Sequence, residues 1–286
     1  MPDADPAHAL CFAIPVSTPG LKFLCRDSVA VDGSVFDSPL SSRFDEQDAF
    51  VIFDDVEVPR ERVFINANLA AYNTVTRTSL PANVMQHNMI RARVKLEFAW
   101  GLACRMAEAI NLSQPAAQQM LGEIAAYAAL ARASITAAEQ GARDYGNGLW
   151  LPEEQPLYAL RALLPGWFPR VNEIIRLLGS HNLLTTPSAA QFADPGLRPL
   201  LDTYLRGAGG VSAEERARVF RLAWDFAGTA LAGRNEQYER FYLGSAARNL
   251  QNLQARSDRA RADRLVNRFI QERPARCEYH PSDFDH

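Results

Sequence analysis

The sequence predicts a mainly α-helical protein, a helical bundle preceded by part of a β-domain. Three observations predict it. Short apolar runs of β-compatible residues stop near residue 66. From about Leu69 to Ile270, apolar residues recur at helical spacing. Between Arg206 and Gly244 lies a glycine-rich stop followed by a helix-capping pair and a further helix. The expected division is 1–66 for the partial β-domain and 67–286 for the bundle.

Taken in order, residues 9–16, ALCFAIPV, are an apolar run suited to a strand. Thr18-Pro19-Gly20 is a turn signal, and Leu21–Cys25 resumes an extended pattern. Ala49–Phe53 is another apolar run, followed by Asp54-Asp55, Val56, Val58 and Pro59. A handful of such strands needs a covering surface, because two-stranded ribbons are marginal alone.

The pattern then becomes helical. Ile90, Val94, Phe98, Leu102, Met106 and Ile110 recur every four residues and read as one buried stripe on a long helix. Ser113 and Pro115 restart a helix carrying Met120, Ile124, Tyr127, Leu130 and Ile135. Gly146-Asn147-Gly148 ends it, and Pro152 opens the next segment. Pro165-Gly166 breaks that segment, with Trp167 to Leu178 a new helix. Residues 179–195 read as loop. After the stop at Gly207–Gly210, Ser212 and Glu215 form a capping box, and Val219, Leu222, Ala223, Phe226 and Ala230 form the buried stripe. A last helix runs from about Ala246 to Ile270, rich in arginine and read as a solvated face or subunit contact. At most one strand is expected between Leu69 and Ile270.

Composition bounds the function. The chain has 286 residues, 48% hydrophobic and 22% charged, with a net charge of −3. That balance is globular and argues against general affinity for nucleic acid. No apolar run reaches the length of a membrane span. Cys11, Cys25, Cys104 and Cys277 are scattered, which suits a reduced, cytoplasmic protein, and all four read as buried fillers. The five histidines are far apart, without metal-ligand spacing, and no nucleophile or phosphate-loop motif stands out. No metal is expected, no catalytic residue is assigned, and any chemistry rests on a cofactor.

The segment GAGGVSAEERARVFRLAWDFAGTALAGRNEQYERFYLG resembles the C-terminal signature of the 4-hydroxyphenylacetate 3-hydroxylase family, the oxygenase components of two-component flavin monooxygenases. IPVSTPGLKFLCR at 14–26, SPLSSRFDEQDAFVIFDDVEVPRERVF at 38–64 and LLTTPSAAQFADP at 183–195 match it in the expected order. The resemblance implies an acyl-CoA-dehydrogenase-like fold. It implies reduced FAD supplied by a separate flavin reductase, and hydroxylation of a phenolic substrate beside its oxygen. It implies a homo-oligomer, a tetramer in the family.

By the same resemblance, Leu231, Ala232, Gly233 and Arg234 are carried over as FAD-binding. A guanidinium suits a pyrophosphate or flavin carbonyl; the competing reading of Arg234 is a salt bridge to Glu236 or Glu239. His87, with Arg91 and Lys95 on its face, reads as a flavin-site residue or as a capping or core histidine. Ser180-His181-Asn182 stands where family members carry glycines, which leaves the local backbone open.

Family members are considerably longer, and their phenol-binding residues have no counterpart here. The resemblance therefore implies a C-terminal portion, expected to bind FAD weakly or not at all alone and not to hydroxylate phenols unaided. Two alternatives stand beside it. One is a non-enzymatic helical oligomer, remnant or subunit that scaffolds an N-terminal half. The other is a relative of the iron–sulfur flavoenzyme 4-hydroxybutyryl-CoA dehydratase; there Val94 occupies a ligand cysteine's place if His87 is the ligand histidine.

Overall fold

The computed structural model describes residues 5–31, 33–75 and 80–271. The expected strands form, but as two antiparallel ribbons rather than one sheet. Strand β1 (Leu10–Phe12) pairs with β4 (Val63–Asn66), and β2 (Leu21–Cys25) with β3 (Ala49–Phe53). Gly20 opens β2 at φ +81°, and a Cβ there would lie 2.3 Å from the Asp54 carbonyl oxygen. Glycine lets the Asp54 N–H reach the Gly20 carbonyl at 3.0 Å and close the ribbon end. Ribbons this thin bury little. Cys11 and Cys25, expected as fillers, are exposed on them. Cys104 is half-buried, and burial pushes its thiol up; Cys277 lies outside the described residues.

Residues 26–48 leave the β2–β3 ribbon and cross to the bundle. The Phe36 ring meets Phe192 edge-on at 5.6 Å, and the Ala189 N–H donates to Asp37 at 3.0 Å. The N–H groups of Leu40 and Ser41 donate to Asp225 Oδ2 at 2.6 and 2.7 Å. The Ser41 hydroxyl takes the other oxygen, which the Thr229 hydroxyl shares at 3.1 Å. A buried carboxylate is costly unless its lone pairs are filled. Buried Asp225 has four donors, and through them it fixes this segment to the helices.

The helices are α1 (Leu69–Thr74), α2 (Leu80–Ala109), α3 (Pro115–Gln140), α4 (Glu154–Gly179), α5 (Asn182–Thr185) and α6 (Ala189–Ala193). They continue with α7 (Arg198–Tyr204), α8 (Ala213–Ala227), α9 (Ala230–Phe241), α10 (Ala246–Arg256) and α11 (Ala260–Gln271). The main core lies where α2, α3, α4 and α8 meet, around Met89, Leu96, Ile124, Leu164, Ile174 and Phe220.

Several further expectations are corrected. The four-residue stripe on α2 is not one buried face: Ile90, Val94 and Phe98 are exposed, while Leu102 and Met106 are buried. At 3.6 residues per turn, each step of four gains about 40°. The row therefore winds from the open side of α2 into the core, and Met85, Met89, Ala92, Leu96 and Ala99 take the buried face instead.

Second, two strands occur in the helical half, β5 (Arg143–Gly146) and β6 (Leu149–Leu151), joined by Asn147 and Gly148 at φ +56° and +76°. Asn-Gly with both residues at positive φ is the favoured hairpin turn; these glycines fold the chain back and do not end α3, which stops at Gln140.

Third, α4 runs unbroken through Pro165 and Pro169. A proline inside a helix costs about 3 kcal/mol. Leu157, Leu160, Leu164, Phe168, Val171 and Ile174 are buried along it, at about 1.5–3 kcal/mol each. Packing wins.

Fourth, residues 179–195 hold α5 and α6, the latter closed by a Ser188–Gln191 capping box. On α8 the expected Ser212–Glu215 box is present. The buried row there, however, is Ala213, Ala217, Phe220, Ala223 and Ala227; Val219, Leu222 and Phe226 are half-buried and Ala230 is exposed.

Fifth, the last helix is two: α10 stops at Arg256, and Ser257 to Arg259 separate it from α11.

Candidate functional site

A cleft of about 610 Å³ opens where the 40–46 segment, α2, the end of α8 and the start of α9 converge. Its floor is apolar: Val94 and Phe98 from α2, Phe226 from α8, Leu231 from α9 and Leu40. Phe98 and Phe226 lie 5.7 Å apart, centroid to centroid. Val94, read as core, is 59% exposed because it faces this opening. Arg43, Asp45, Glu46, Arg91, Lys95, Arg234, Asn235 and Tyr238 supply the polar wall.

Arg234 sits in the second turn of α9. Its expected partners were Glu236 or Glu239; it pairs with neither. Residues two and five apart do not face each other on a helix. Its guanidinium instead forks onto Asp48, with Nε–Oδ2 at 2.9 Å and Nη2–Oδ1 at 2.6 Å, and Nη1 reaches Glu46 at 2.8 Å. Arg26 Nε also donates to Asp48, at 2.9 Å, and Arg26 Nη2 to Asp45 at 2.7 Å. Hydrogen bonds from Arg234 and then Arg26 hold the Asp48 carboxyl well below the usual carboxylate range. Those bonds hold the Arg234 guanidinium above its own ordinary value. Its face covers the Tyr238 ring at 4.8 Å.

A second cluster closes the inner wall. Glu239 is buried on α9 and accepts from both Arg91 and Lys95 of α2, with Arg91 Nη2 at 3.1 Å and Lys95 Nζ at 2.6 Å. Burial alone would raise the Glu239 carboxyl, yet the Arg91 hydrogen bond and the Lys95 charge hold it below its ordinary value. Arg91 also covers Tyr238 at 5.2 Å, and Tyr238 stacks on Tyr242 at 4.5 Å. Burial pushes the Tyr238 hydroxyl up to about 12.

The four residues carried over for FAD are not equivalent. Leu231 and Arg234 line the cleft. Ala232 is buried, and Gly233 is exposed with nothing within 4 Å of a Cβ built there. At Gly228, by contrast, a Cβ would meet the Trp224 ring at 2.3 Å. His87 is exposed, does not line the cleft and is not in the core, whereas Arg91 and Lys95, one and two turns on, do line it. Sequence reasoning missed Glu46 in the wall, and Asp48 and Glu239 as the carboxylates that hold its cations. For the first two no local signal existed, since they reach Arg234 from far along the chain.

The described residues of the cleft combine an apolar floor with charged and polar side chains that can bind and orient a ligand. Among the described residues no group of three His, Cys, Asp or Glu side chains is placed to hold a metal ion. An apolar floor with cationic edges fits a planar aromatic group carrying negative charge at its rim.

Residues 71–271 match the family model described as 4-hydroxyphenylacetate 3-hydroxylase C terminal, and residues 1–65 match its N-terminal counterpart. The chain belongs to this family. It is 41% identical over 248 residues to the 4-hydroxyphenylacetate 3-monooxygenase oxygenase component of Thermus thermophilus, covering 86% of this chain and 51% of that one. It is 37% identical over 243 residues to the oxygenase component of a Rhodococcus 4-nitrophenol 2-monooxygenase, covering 83% and 47%.

The 4-hydroxyphenylacetate 3-hydroxylase fold is equally clear. A crystal structure of a 4-hydroxyphenylacetate 3-monooxygenase oxygenase component complexed with FAD superposes with a TM-score of 0.88 at 37% identity, over 94% of this chain and 57% of that one. An archaeal 4-hydroxybutyryl-CoA dehydratase shares the fold at a TM-score of 0.77 and 18% identity. The chain spans about half the length of the curated relatives it matches.

Proposed function

We propose that this chain forms the bundle side of the flavin site in an oxygenase that hydroxylates a phenolic compound, using reduced FAD from a separate reductase. The observation that carries it is the apolar cleft edged by Arg234, Arg91 and Lys95 in a chain of the 4-hydroxyphenylacetate 3-hydroxylase family. FAD, when bound, supplies the oxygen-activating chemistry. Leu231 offers an apolar surface to it, Arg234 the Nη1 nitrogen that lies outside its fork on Asp48, and Ala232 and Gly233 complete the segment that carries both. Val94, Phe98 and Phe226 keep water from one face of the ligand. The domain reading, 1–66 and 67–286, places the cleft on the line between the two units. We further propose self-association, a homotetramer as the resemblance implies.

The cleft floor is open to solvent, so one wall alone holds FAD weakly. Reduced FAD is titrated anaerobically into the chain, alone and with the N-terminal half of the Thermus thermophilus relative added. The expected outcome is weak binding that tightens on addition. Arg234→Ala then weakens it by about 1–3 kcal/mol, the scale of a hydrogen bond to a charged group. Tight binding unaffected by Arg234→Ala would move the flavin site elsewhere.

A further inference from the structure

Arg234 is already occupied by carboxylates, and the two it holds are unequal. Asp48 is gripped by both ends of the fork and again by Arg26. Glu46 makes one contact, to Nη1, and its side chain is 73% exposed, while that of Arg234 is 14% exposed. Around them, the cationic Arg26 and Arg234 face the carboxylates of Asp45, Glu46 and Asp48, two charges against three. As it stands this corner of the cleft carries one excess negative charge, while Arg43, Arg91 and Lys95 supply cations along the rest of its edge. With Glu46 swung out the corner is balanced, and Nη1 loses its carboxylate partner in the cleft that Arg234 and Glu46 line together.

We propose that Glu46 is a displaceable placeholder in an anion seat on Arg234, and that the seat takes a phosphate or pyrophosphate group. Its link to FAD rests on the functional reading above. An exposed ion pair contributes little, whereas a guanidinium–phosphate pair belongs to the strong, charge-assisted class, so the exchange runs toward phosphate. Asp48 stays through the exchange and keeps the fork aimed. Glu46 thus sets selectivity: a neutral flavin lacking phosphate gains nothing from displacing it.

The test is calorimetric titration of the full chain with inorganic pyrophosphate, reduced FAD and reduced riboflavin. The variants are Glu46→Gln, Glu46→Ala and Glu46→Gln combined with Arg234→Ala. Glu46→Gln and Glu46→Ala are expected to tighten pyrophosphate about twofold to fivefold, the scale of removing one exposed competing charge. The gain disappears in the double variant, and riboflavin affinity does not change. Equal pyrophosphate affinity in wild type and both single variants overturns the proposal, whatever FAD does. A gain for pyrophosphate with no binding of FAD leaves the seat standing and overturns the FAD reading. Circular dichroism melts of the variants, expected to match wild type because Glu46 is on the surface, separate loss of the seat from loss of the fold.

Discussion

Glu239 shows how much one side chain can hold. It sits with 5% of its side chain exposed and accepts from Arg91 and Lys95, so it ties α9 to α2 at the inner wall of the cleft. Glu239→Gln leaves two cations without their counter-charge. Breaking a buried pair of this kind costs about 3–5 kcal/mol, and urea unfolding at pH 7 is expected to show a loss of that order. The folded carboxyl lies below its ordinary value, so the unfolded state binds the proton more readily. The stabilisation is therefore complete above about pH 4.3, the unfolded value, and disappears as pH falls through the folded value. The difference between wild type and Glu239→Gln should hold from neutral pH to about 5 and shrink below about 4. A difference already absent at pH 7 would mean the pair is not what joins the helices. Of these residues only Arg91, Lys95 and Arg234 were legible in the sequence. Helical spacing puts Arg91 and Lys95 on one face, but nothing in spacing says that Glu46 and Asp48 meet Arg234 from the β-ribbon side.

Among the elements, the α4–α5 junction carries a cost that the sequence hinted at. Ser180 takes φ +46° and ψ −137° as the C-cap of α4, a region that favours glycine. Serine holds here a backbone conformation that glycine takes freely, and the strain is of order 1–3 kcal/mol. Ser180→Gly is expected to stabilise the chain by about 1 kcal/mol, after glycine's larger unfolded-state entropy is subtracted. Urea midpoints measure it; a lower midpoint for the variant would show that serine contributes a contact outweighing the strain.

Element identity was otherwise legible where a rule acts locally, as in the Ser212–Glu215 box and the strands at 21–25 and 49–53. It failed where tertiary packing overrides local preference, as at Pro165 within α4, and where period four was taken for 3.6, as along α2. The Asn147-Gly148 signal was on the page but read as a stop rather than a hairpin.

At the scale of the whole molecule, the question is what covers the apolar surface that the fold leaves open. Helix α11 is the clearest case. Leu265, Val266, Phe269 and Ile270 share one side of it and are all exposed, Phe269 at 88%. Arg261, Arg264 and Arg268 interleave with them, and Arg259 and Asp263 pair at 2.9 Å one turn apart. An isolated helix of this length is marginal in water; amphipathic helices in proteins draw their stability from packing the apolar face. Further apolar exposure at Leu184, Leu200 and Tyr204 lies on α5 and α7 of the same chain. Exposed apolar surface on this scale marks an interaction site, and self-complementary association is the commonest way to cover it. Light scattering at micromolar concentration is expected to show an oligomer. Phe269→Glu combined with Ile270→Glu should shift it toward smaller species while the helical signal of the bundle persists, since α11 contributes nothing to the shared core of α2, α3, α4 and α8. A clean monomer for the wild-type chain would mean that α11 either stays solvated or folds onto its own bundle. An oligomer unchanged by the double substitution would place the interface on the α5–α7 side instead.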